Sequence, residues 1–503
     1  MLLLDALRKS GVLSFEDNSK TYAAPTGFTV IDALGGNIEI DVHGNFILNG
    51  GLSNKFYMKT GNSGTGKTTL AIQTCAYGVD WWNRRYPDKE PSDLIVFDSE
   101  DNLVINRVVD LTGWNPDYME RHFSLRKDAD IKTIYNTILK LVDEKRKNED
   151  TYFVETDVMN VDGSPLKAWA TTYILIDSMS GIKSRIGLES IGRDKVGELK
   201  DTNISENIDA MREAKDKIDF IFKLKPLCNE YGIYIGVINH ITEEKSLSMF
   251  DVPKKYLTTL KAGEKIRGGE QLMFQAYGID RNKYRESLGE KNPIYGDIDG
   301  SINEFMYIKS KNFGEGMPYR MIMSRRFGYM PELSDFEFLY TNNYGYSGSP
   351  VSMALDVLPE IKFSRKTLLD KCKEFPELPR AIQFTAKLLI INKLLMNKES
   401  GPDLTPFKEL PYEERISYIY TFTDRYSRYG NVLESVELME VLSRKNRYID
   451  KDYDLSRSFM SDYMFALIED PEYSYTIPIG FESFAKPYDD PKDFRIVDDD
   501  FWI

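Results

Sequence analysis

One segment of the sequence, Gly61 to Thr68, constrains the fold more than any other. It reads GNSGTGKT, follows a run with strand character and precedes a helical stretch. Glycines at this spacing let backbone N–H groups converge on phosphate oxygens, while Lys67 supplies a cation for the terminal phosphates. The pattern therefore predicts a phosphate-binding loop between a strand and a helix. The residues expected to contact the nucleotide are Gly61, Asn62, Ser63, Gly64, Thr65, Gly66, Lys67, Thr68 and Thr69.

Two other apolar runs end in carboxylates, at Tyr173–Asp177 and Leu94–Asp98. Because ligands bind at the carboxyl edge of an open parallel sheet, we expect these acids to meet beside the glycine loop. Asp177 and the Thr68 hydroxyl are the expected protein ligands of Mg²⁺. Glu100 is the candidate base that orients water on the γ-phosphate. Two alternatives stay open: Glu100 as an ordinary helix-start residue, and Asp98 as a cap of the next helix.

His240 ends a further apolar run, IYIGVINH. A polar residue at this point can contact the γ-phosphate and report its loss to the loop that follows. A solvated turn residue is the alternative for a single histidine.

The chain alternates strand-like and helical segments from about Pro25 to Phe338, which is typical of a parallel sheet covered by helices. We expect 1–24 to form a helix (Leu2–Lys9) and a connector, 25–345 an α/β ATPase core, 346–488 a mainly helical C-terminal domain, and 489–503 an acidic tail. For the N-terminal helix, docking on a neighbouring subunit and plain packing on its own core are the alternatives. Insertions are expected near 148–167, as a hairpin turning at Asp162-Gly163, and near 285–301.

The predicted strands are Lys55–Lys59, Leu94–Asp98, Tyr173–Asp177, Tyr234–Ile238, Leu272–Ile279 and Phe305–Lys309. The predicted helices include Thr68–Trp82, Asp130–Lys147, Ser364–Lys373 and Arg380–Asn397, and Ser347–Pro350 is expected to be a linker.

Composition limits the cellular setting and the partners. The three cysteines (Cys75, Cys228 and Cys372) have no paired spacing, which suits a reducing cytosol. No apolar run approaches membrane-spanning length, so we expect a cytoplasmic protein of a bacterium or a phage-infected host, with no membrane partner. The net charge of −14 argues against a passive nucleic-acid coat protein. It does not exclude a DNA-binding protein whose basic groups are concentrated in loops.

The order of these motifs resembles the RecA-type recombinase core, most closely the UvsX-type recombinases of tailed phages. The resemblance covers roughly Pro25 to Phe338 and rests on PTGFTVIDALGG, GNSGTGKT, IVFDSE, YILIDSMSGI and GVINH. It implies a RecA-like core that binds ATP and Mg²⁺. Glu100 would be catalytic, Asp177 linked to Mg²⁺ and His240 the γ-phosphate sensor, a position where the phage proteins have histidine and RecA has glutamine.

The resemblance also implies that ATP lies between subunits. RGGEQLMF is similar to a segment whose aromatic residue, here Phe274, packs on the neighbouring subunit. IKSK is similar to a strand whose basic residues, here Lys309 and Lys311, reach the neighbour's ATP; a solvated charged strand end is the alternative. Arg107 stands where the family has an aromatic residue that stacks on adenine, and a guanidinium can also stack.

By the same resemblance, DNA binds two loops, at Met179–Ser205 and Ile241–Lys265. Cations for phosphates and flat rings for bases are what single-strand binding needs. Both loops also carry acids, so ordinary solvated loops are the alternative. The candidates are Lys183, Arg185, Arg193 and Lys195 in the first loop, and Phe250, Lys254, Lys255, Tyr256, Lys261 and Lys265 in the second.

The expected function is that of a DNA strand-exchange recombinase. Such a protein forms a helical homo-oligomeric filament on single-stranded DNA, pairs it with homologous double-stranded DNA and hydrolyses ATP. The tail Val497–Ile503 resembles the partner-docking tips of single-strand-binding proteins, which adds a single-strand-binding or loader protein as a partner. An acidic tail that competes with DNA for basic surface and an unstructured solubilising tail are the alternatives. A hexameric helicase of the same fold and a non-DNA ATPase switch are the alternatives.

Overall fold

The structure is a computed structural model, and it describes the larger part of the chain between Tyr22 and Ser435. The described residues are 22–35, 37–40, 46–49, 51–127, 130–159, 165–179, 181–182, 202–243, 254–267, 270–289, 292–311, 315–395, 399–401, 404–413, 415–416, 419 and 432–435. The predicted N-terminal helix, the turn at Asp162-Gly163 and the acidic tail lie outside them.

The first part of the described chain alternates strands with helices. The elements are α1 (Thr29–Gly35), β1 (Asn37–Ile40), β2 (Phe46–Asn49), β3 (Phe56–Gly61), α2 (Lys67–Arg85), β4 (Leu94–Asp98), α3 (Ile105–Thr112), α4 (Pro116–His122), β5 (Phe123–Arg126), α5 (Ile131–Lys147), α6 (Glu149–Tyr152), β6 (Phe153–Met159), β7 (Pro165–Trp169), β8 (Thr172–Asp177), α7 (Thr202–Tyr231) and β9 (Ile233–Ile238).

The remaining elements are mostly antiparallel strands and then helices. They are β10 (Ile241–Glu243), β11 (Glu264–Ile266), α8 (Glu270–Gln275), β12 (Gly278–Leu288), β13 (Gly300–Ser310), β14 (Tyr319–Ser324), β15 (Gly328–Tyr329), α9 (Pro331–Asn342), β16 (Tyr346–Ser349), β17 (Ser352–Leu355), β18 (Leu358–Phe363), α10 (Leu368–Glu374), α11 (Glu377–Leu395), α12 (Thr405–Lys408) and β19 (Val432–Ser435).

A nine-stranded sheet organises the fold, in the order β15-β14-β13-β12-β3-β9-β8-β4-β5. The strands from β12 to β5 are all parallel to their neighbours, whereas β13, β14 and β15 continue the sheet in antiparallel fashion. Helices cover both faces. The predicted α/β class is confirmed, with a large and mostly parallel central sheet.

Two hydrophobic clusters form the core, one on each face of the sheet. Along β8, Tyr173 and Leu175 belong to the cluster that holds α2, while Ile174 and Ile176 belong to the cluster that holds α5 and α7. This alternation follows from the two-residue period of a strand. Because both faces are buried, the central strands read as continuous apolar runs.

A buried ion pair joins the two strands nearest the glycine loop. The Lys59 ammonium on β3 donates to Asp280 Oδ2 on β12 at 2.8 Å, and the two side chains are 1% and 5% exposed. Burial raises the pKa of Asp280, and the Lys59 charge opposes that rise. The pair therefore matters mainly because each charge compensates the other inside the protein.

Replacing Lys59 with Met is expected to lower the free energy of unfolding by about 3–5 kcal/mol, because the Asp280 carboxylate stays buried without its cation. The double variant Lys59→Met/Asp280→Leu is expected to recover most of that loss. Urea unfolding of both variants checks the prediction. Equal stability of the single and double variants would contradict it.

Several predicted elements differ from the structure. Leu272–Ile279 is wrong as a strand, because its first part lies in helix α8 and only the last two residues enter β12. Within 285–301, β12 continues to Leu288 and β13 begins at Gly300. The hairpin expected within 148–167 is present as β6 and β7.

The region after Gly345 begins with strands. Ser347–Pro350 is wrong as a linker, because β16 pairs with β17 in a hairpin, followed by β18. Helix α10 begins at Leu368 rather than Ser364, and the Thr367 N–H donates to Ser364 Oγ at 3.3 Å in the turn before it.

Helix α9 is enclosed between the main sheet and α11. Eight consecutive residues from Glu332 to Leu339 are buried. The Phe336 ring lies 5.2 Å from that of Phe363 on β18. One hydrophobic cluster extends from Tyr22 to Ile419 across this region. Residues on both sides of Gly345 therefore share one core.

Candidate functional site

The glycine loop connects β3 to α2 at the carboxyl edge of the sheet. Gly61, Gly64 and Gly66 have φ angles of 145°, 74° and 74°, a region that favours glycine. A Cβ added at Gly64 would meet nothing within 4 Å, so open space borders the loop. The Lys67 ammonium donates to the Asn62 carbonyl at 2.7 Å, and the Thr65 hydroxyl donates to the same oxygen at 2.9 Å. The predicted loop residues thus form one cradle, with Thr68 and Thr69 in the first turn of α2.

Side chains from β12, β13 and β15 support this loop. The Tyr329 hydroxyl donates to the Thr65 carbonyl at 3.0 Å and accepts from the amides of Asn282 at 3.1 Å and Asn303 at 3.0 Å. A Cβ at Gly66 would lie 2.6 Å from the same hydroxyl. Sequence reasoning missed these three residues, because the loop motif carries no signal for partners more than 200 positions away.

Asp177 and Thr68 lie together as predicted. The Thr68 hydroxyl donates to Asp177 Oδ2 at 2.6 Å, and Asp177 pairs with Asp98 across β8 and β4. Burial raises the pKa of Asp177 to about 6; the Thr68 hydrogen bond opposes this, and the charges of Glu100 and Asp98 add to it. A hydroxyl and a carboxylate oxygen are suitable ligands for Mg²⁺, which takes one or two protein oxygens when phosphates supply others.

No group of three or more His, Cys, Asp or Glu side chains within the described residues is arranged to hold a metal ion by itself. A Mg²⁺ ion held by Thr68 and Asp177 would thus depend on phosphate oxygens for further ligands.

Glu100 follows β4, and its carboxylate lies beside Ser178, the residue after Asp177. Its Oε1 accepts from the Ser178 hydroxyl at 2.7 Å and lies 3.5 Å from His240 Nε2. Partial burial raises the pKa of Glu100, but the hydrogen bonds from Ser178 and His240 and the charges of His240 and Lys67 outweigh it, so the pKa lies below its usual value. Glu100 is therefore ionised at neutral pH, the state in which a carboxylate can accept a proton.

Asp98 shapes the turn that presents Glu100. Its two carboxylate oxygens accept from the backbone N–H groups of Glu100 at 3.1 Å and Leu103 at 2.8 Å. Helix α3 begins later and its N-cap residue is Val104, without a side-chain cap. Asp98 thus holds the preceding turn rather than the helix end.

Ligand-free Asp177 should make Mg²⁺–nucleotide binding sensitive to pH. The pKa of Asp177 is about 6 in the folded protein and 3.8 in the reference state. Protonation of Asp177 therefore favours the folded, ligand-free protein. The contribution of Asp177 to stability falls as the pH rises from about 4 to about 6. Metal binding needs the carboxylate, so we expect affinity to fall by up to about tenfold per unit below pH 6. Calorimetric titration with Mg²⁺–ATP analogue between about pH 5 and 8 checks this.

Asp177→Asn is the matched variant, because it also reveals the titration of the nucleotide's own phosphates. It should bind more weakly than the native protein near neutral pH and lose the additional pH dependence. An identical pH profile for Asp177→Asn and the native protein would refute the assignment.

His240 stands between Glu100 and the second predicted loop. The Asn239 amide donates to the Arg267 carbonyl at 2.6 Å, and the Arg267 N–H donates to the His240 carbonyl at 2.9 Å. Directly after His240, β10 pairs with β11 in antiparallel fashion. The two ends of the Ile241–Lys265 segment are therefore held together next to Glu100.

Lys309 and Lys311 lie towards the amino end of β3, away from the glycine loop. Lys309 is level with Met58 in the sheet, three residues or roughly 10 Å before Gly61. Its ammonium donates to the carbonyls of Met273 at 2.7 Å, Phe274 at 3.1 Å and Ala276 at 2.8 Å. Burial, with the nearby charges of Lys311 and Lys225, lowers the pKa of Lys309 to about 8.

Lys311 lies over the ring of Tyr277, 6.0 Å from its centroid, and Phe274 is 52% exposed on α8. The structure thus places Lys309, Lys311 and Phe274 on one part of the surface and does not bring them to the glycine loop of the same chain.

Arg107 lies on α3, half-buried, and donates to the Arg326 carbonyl.

Of the predicted DNA-contacting residues, Lys183, Arg185, Arg193, Lys195 and Phe250 lie outside the described residues. Lys254, Lys255 and Lys261 are exposed, Lys265 and Tyr256 are half-buried, and the Lys254 ammonium lies 4.9 Å from the centroid of the Tyr256 ring.

No protein-family model matches the chain, and no curated protein sequence matches it. Within the described residues, no helix is both long and apolar enough to span a membrane.

Proposed function

We propose that this protein is an ATP-dependent DNA recombinase of the RecA type, which assembles as a filament on single-stranded DNA and promotes pairing and strand exchange with homologous duplex. One observation carries the proposal. The glycine loop, the Thr68–Asp177 pair, Glu100 and His240 meet at one edge of the sheet, and His240 leads directly into the paired base of the Ile241–Lys265 segment.

The residues at this edge have distinct roles in the proposed hydrolysis. Backbone N–H groups of the glycine loop and the Lys67 ammonium bind the phosphates. Burial lowers the pKa of Lys67, while the charges of Asp177 and Glu100 raise it. Thr68 and Asp177 would hold Mg²⁺, which neutralises phosphate charge when bound.

Glu100 accepts a proton from the attacking water and orients it towards the γ-phosphate. Ser178 keeps the carboxylate in place through its 2.7 Å hydrogen bond.

The DNA-dependent part of the proposal rests on His240. A change of its contact with Glu100 when the γ-phosphate leaves would be passed to β10, the next element in the chain. Exposed Lys254, Lys255 and Lys261 near the base of that segment are suited to phosphate contacts, and Tyr256 to base stacking. The overall charge of −14 does not oppose this, since binding depends on the local field.

The decisive experiment measures ATP hydrolysis with and without single-stranded DNA and images the same samples by electron microscopy. DNA-stimulated hydrolysis by helical filaments, with strand exchange on homologous duplex, supports the proposal. Closed rings that unwind duplex indicate a helicase instead. Hydrolysis that DNA does not change indicates an ATPase switch of the same fold.

A further inference from the structure

An ion pair outside the catalytic residues ties the second loop segment to the strand beside the glycine loop. Arg281 Nη1 donates to Glu264 Oε2 and Arg281 Nη2 to Glu264 Oε1, both at 2.9 Å. The side chains are 14% and 10% exposed. Two parallel charge-assisted bonds in this geometry fix direction as well as distance.

The Arg281 side of the pair is rigidly connected to the glycine loop. On β12, Arg281 is level with Thr60 and Asn282 with Gly61 of the parallel strand β3. The Thr60 hydroxyl donates to the Asp280 carbonyl at 2.7 Å, and the amide of Asn282 contacts the Tyr329 hydroxyl that supports Thr65. Movement of Arg281 relative to the loop would break these buried contacts.

The Glu264 side belongs to the Ile241–Lys265 segment. Glu264 begins β11 and pairs with Glu243 of β10, three residues after His240. The Lys261 N–H also donates to Glu264 Oε2 at 3.1 Å. Partial burial raises the pKa of Glu264, but the bonds from Arg281 and Lys261 outweigh it and hold the pKa below its usual value. The carboxylate thus stays charged and paired.

We infer that Arg281 and Glu264 are positioning residues that couple the base of the second loop segment to the glycine loop, so that a nucleotide that orders the glycine loop also orders the paired strands β10 and β11. The inference rests on the proposed function. Without the ion pair, β11 would no longer be held to β12, and the nucleotide state would no longer reach residues 254–267.

The test is hydrogen exchange of the full chain with and without Mg²⁺ and a slowly hydrolysed ATP analogue. In the native protein we expect the analogue to protect both the glycine loop and residues 254–267. In Arg281→Gln, protection of the glycine loop should persist, with analogue affinity changed less than about threefold, while analogue-dependent protection of 254–267 falls by at least about tenfold.

The double swap Arg281→Glu/Glu264→Arg should restore much of the lost protection, which distinguishes lost coupling from general damage to the fold. The Arg285–Glu304 pair provides the matched control, because it joins β12 to β13 without touching the loop segment. Arg285→Gln should leave both regions as in the native protein.

If Arg281→Gln keeps the analogue-dependent protection of 254–267, the positioning role is wrong although the proposed ATPase stands. If the native protein shows no protection of the glycine loop, the proposed function itself is wrong. If the swap fails to restore protection while its glycine loop is still protected, the ion pair is not the coupling element.

Discussion

Glu100→Gln is expected to reduce ATP hydrolysis by on the order of 10²–10⁴-fold while ATP-dependent binding to single-stranded DNA persists. Glutamine keeps the size of the side chain and can still accept from the Ser178 hydroxyl, which lies 2.7 Å from Glu100 Oε1. It cannot accept the proton of the attacking water. Turnover assays and nucleotide-dependent DNA binding on the same preparation measure the two effects.

Asp101→Asn is the control, because Asp101 is the adjacent carboxylate and its side chain is 72% exposed in an ion pair with Lys127. We expect near-native hydrolysis from this variant. Retained turnover in Glu100→Gln would rule out Glu100 as the base, and simultaneous loss of nucleotide binding would show that Glu100 acts in binding instead.

Lys311→Ala is expected to lower hydrolysis by about a hundredfold or more, since a cation supplied by a neighbouring subunit stabilises charge on the transferred phosphate. Lys311 lies after the end of β13, level with the amino end of β3, so it is remote from the glycine loop of its own chain. Under the proposed function, an adjoining copy would bring it to a nucleotide.

Mixing two inactive variants tests this directly. In an equimolar mixture of Glu100→Gln and Lys311→Ala, about a quarter of the interfaces combine an intact Glu100 with an intact Lys311, so about a quarter of native activity should return. Lys55→Ala is the control for removing a cation from the Tyr277 ring, because Lys55 also lies over that ring, 5.8 Å from its centroid. A mixture as inactive as its components would contradict an intersubunit site.

Lys309 is not equivalent to Lys311, although the sequence presents them as a pair. The three carbonyls that its ammonium contacts belong to the end of α8 and the residue after it, next to exposed Phe274. Its removal would leave these carbonyls without their cation and alter the helix that carries Phe274. Lys311 is therefore the cleaner position at which to test intersubunit catalysis.

The central sheet could be predicted because its strands are buried on both faces. β4 has the predicted bounds, and β8 and β9 each begin one residue earlier than expected, since continuous apolar runs leave few alternatives. Leu272–Ile279 shows the limit of the same rule. A short apolar run does not distinguish a buried helix turn from a strand, and here Leu272 and Met273 are buried on α8.

The outline of the site could be predicted because motif residues stand at strand ends. The residues that support the site, Ser178, Asn282 and Tyr329, could not be predicted. They act through contacts that depend on tertiary structure. Tyr329 and Thr65 are 264 positions apart in the chain. A hydroxyl that holds a carbonyl at that separation leaves no periodic pattern in the sequence, so only the folded arrangement identifies it.

The enclosure of α9 has a practical consequence for dissecting the molecule. Because Glu332 to Leu339 are buried throughout, the helix has no solvent-facing side in this stretch. A fragment ending near Gly345 would expose Phe336 and Leu339 where β18 and α11 now cover them, and it would be prone to aggregation. Limited proteolysis is therefore expected to spare the polypeptide around Gly345, and the residues before it cannot be isolated as a folded fragment by cutting there.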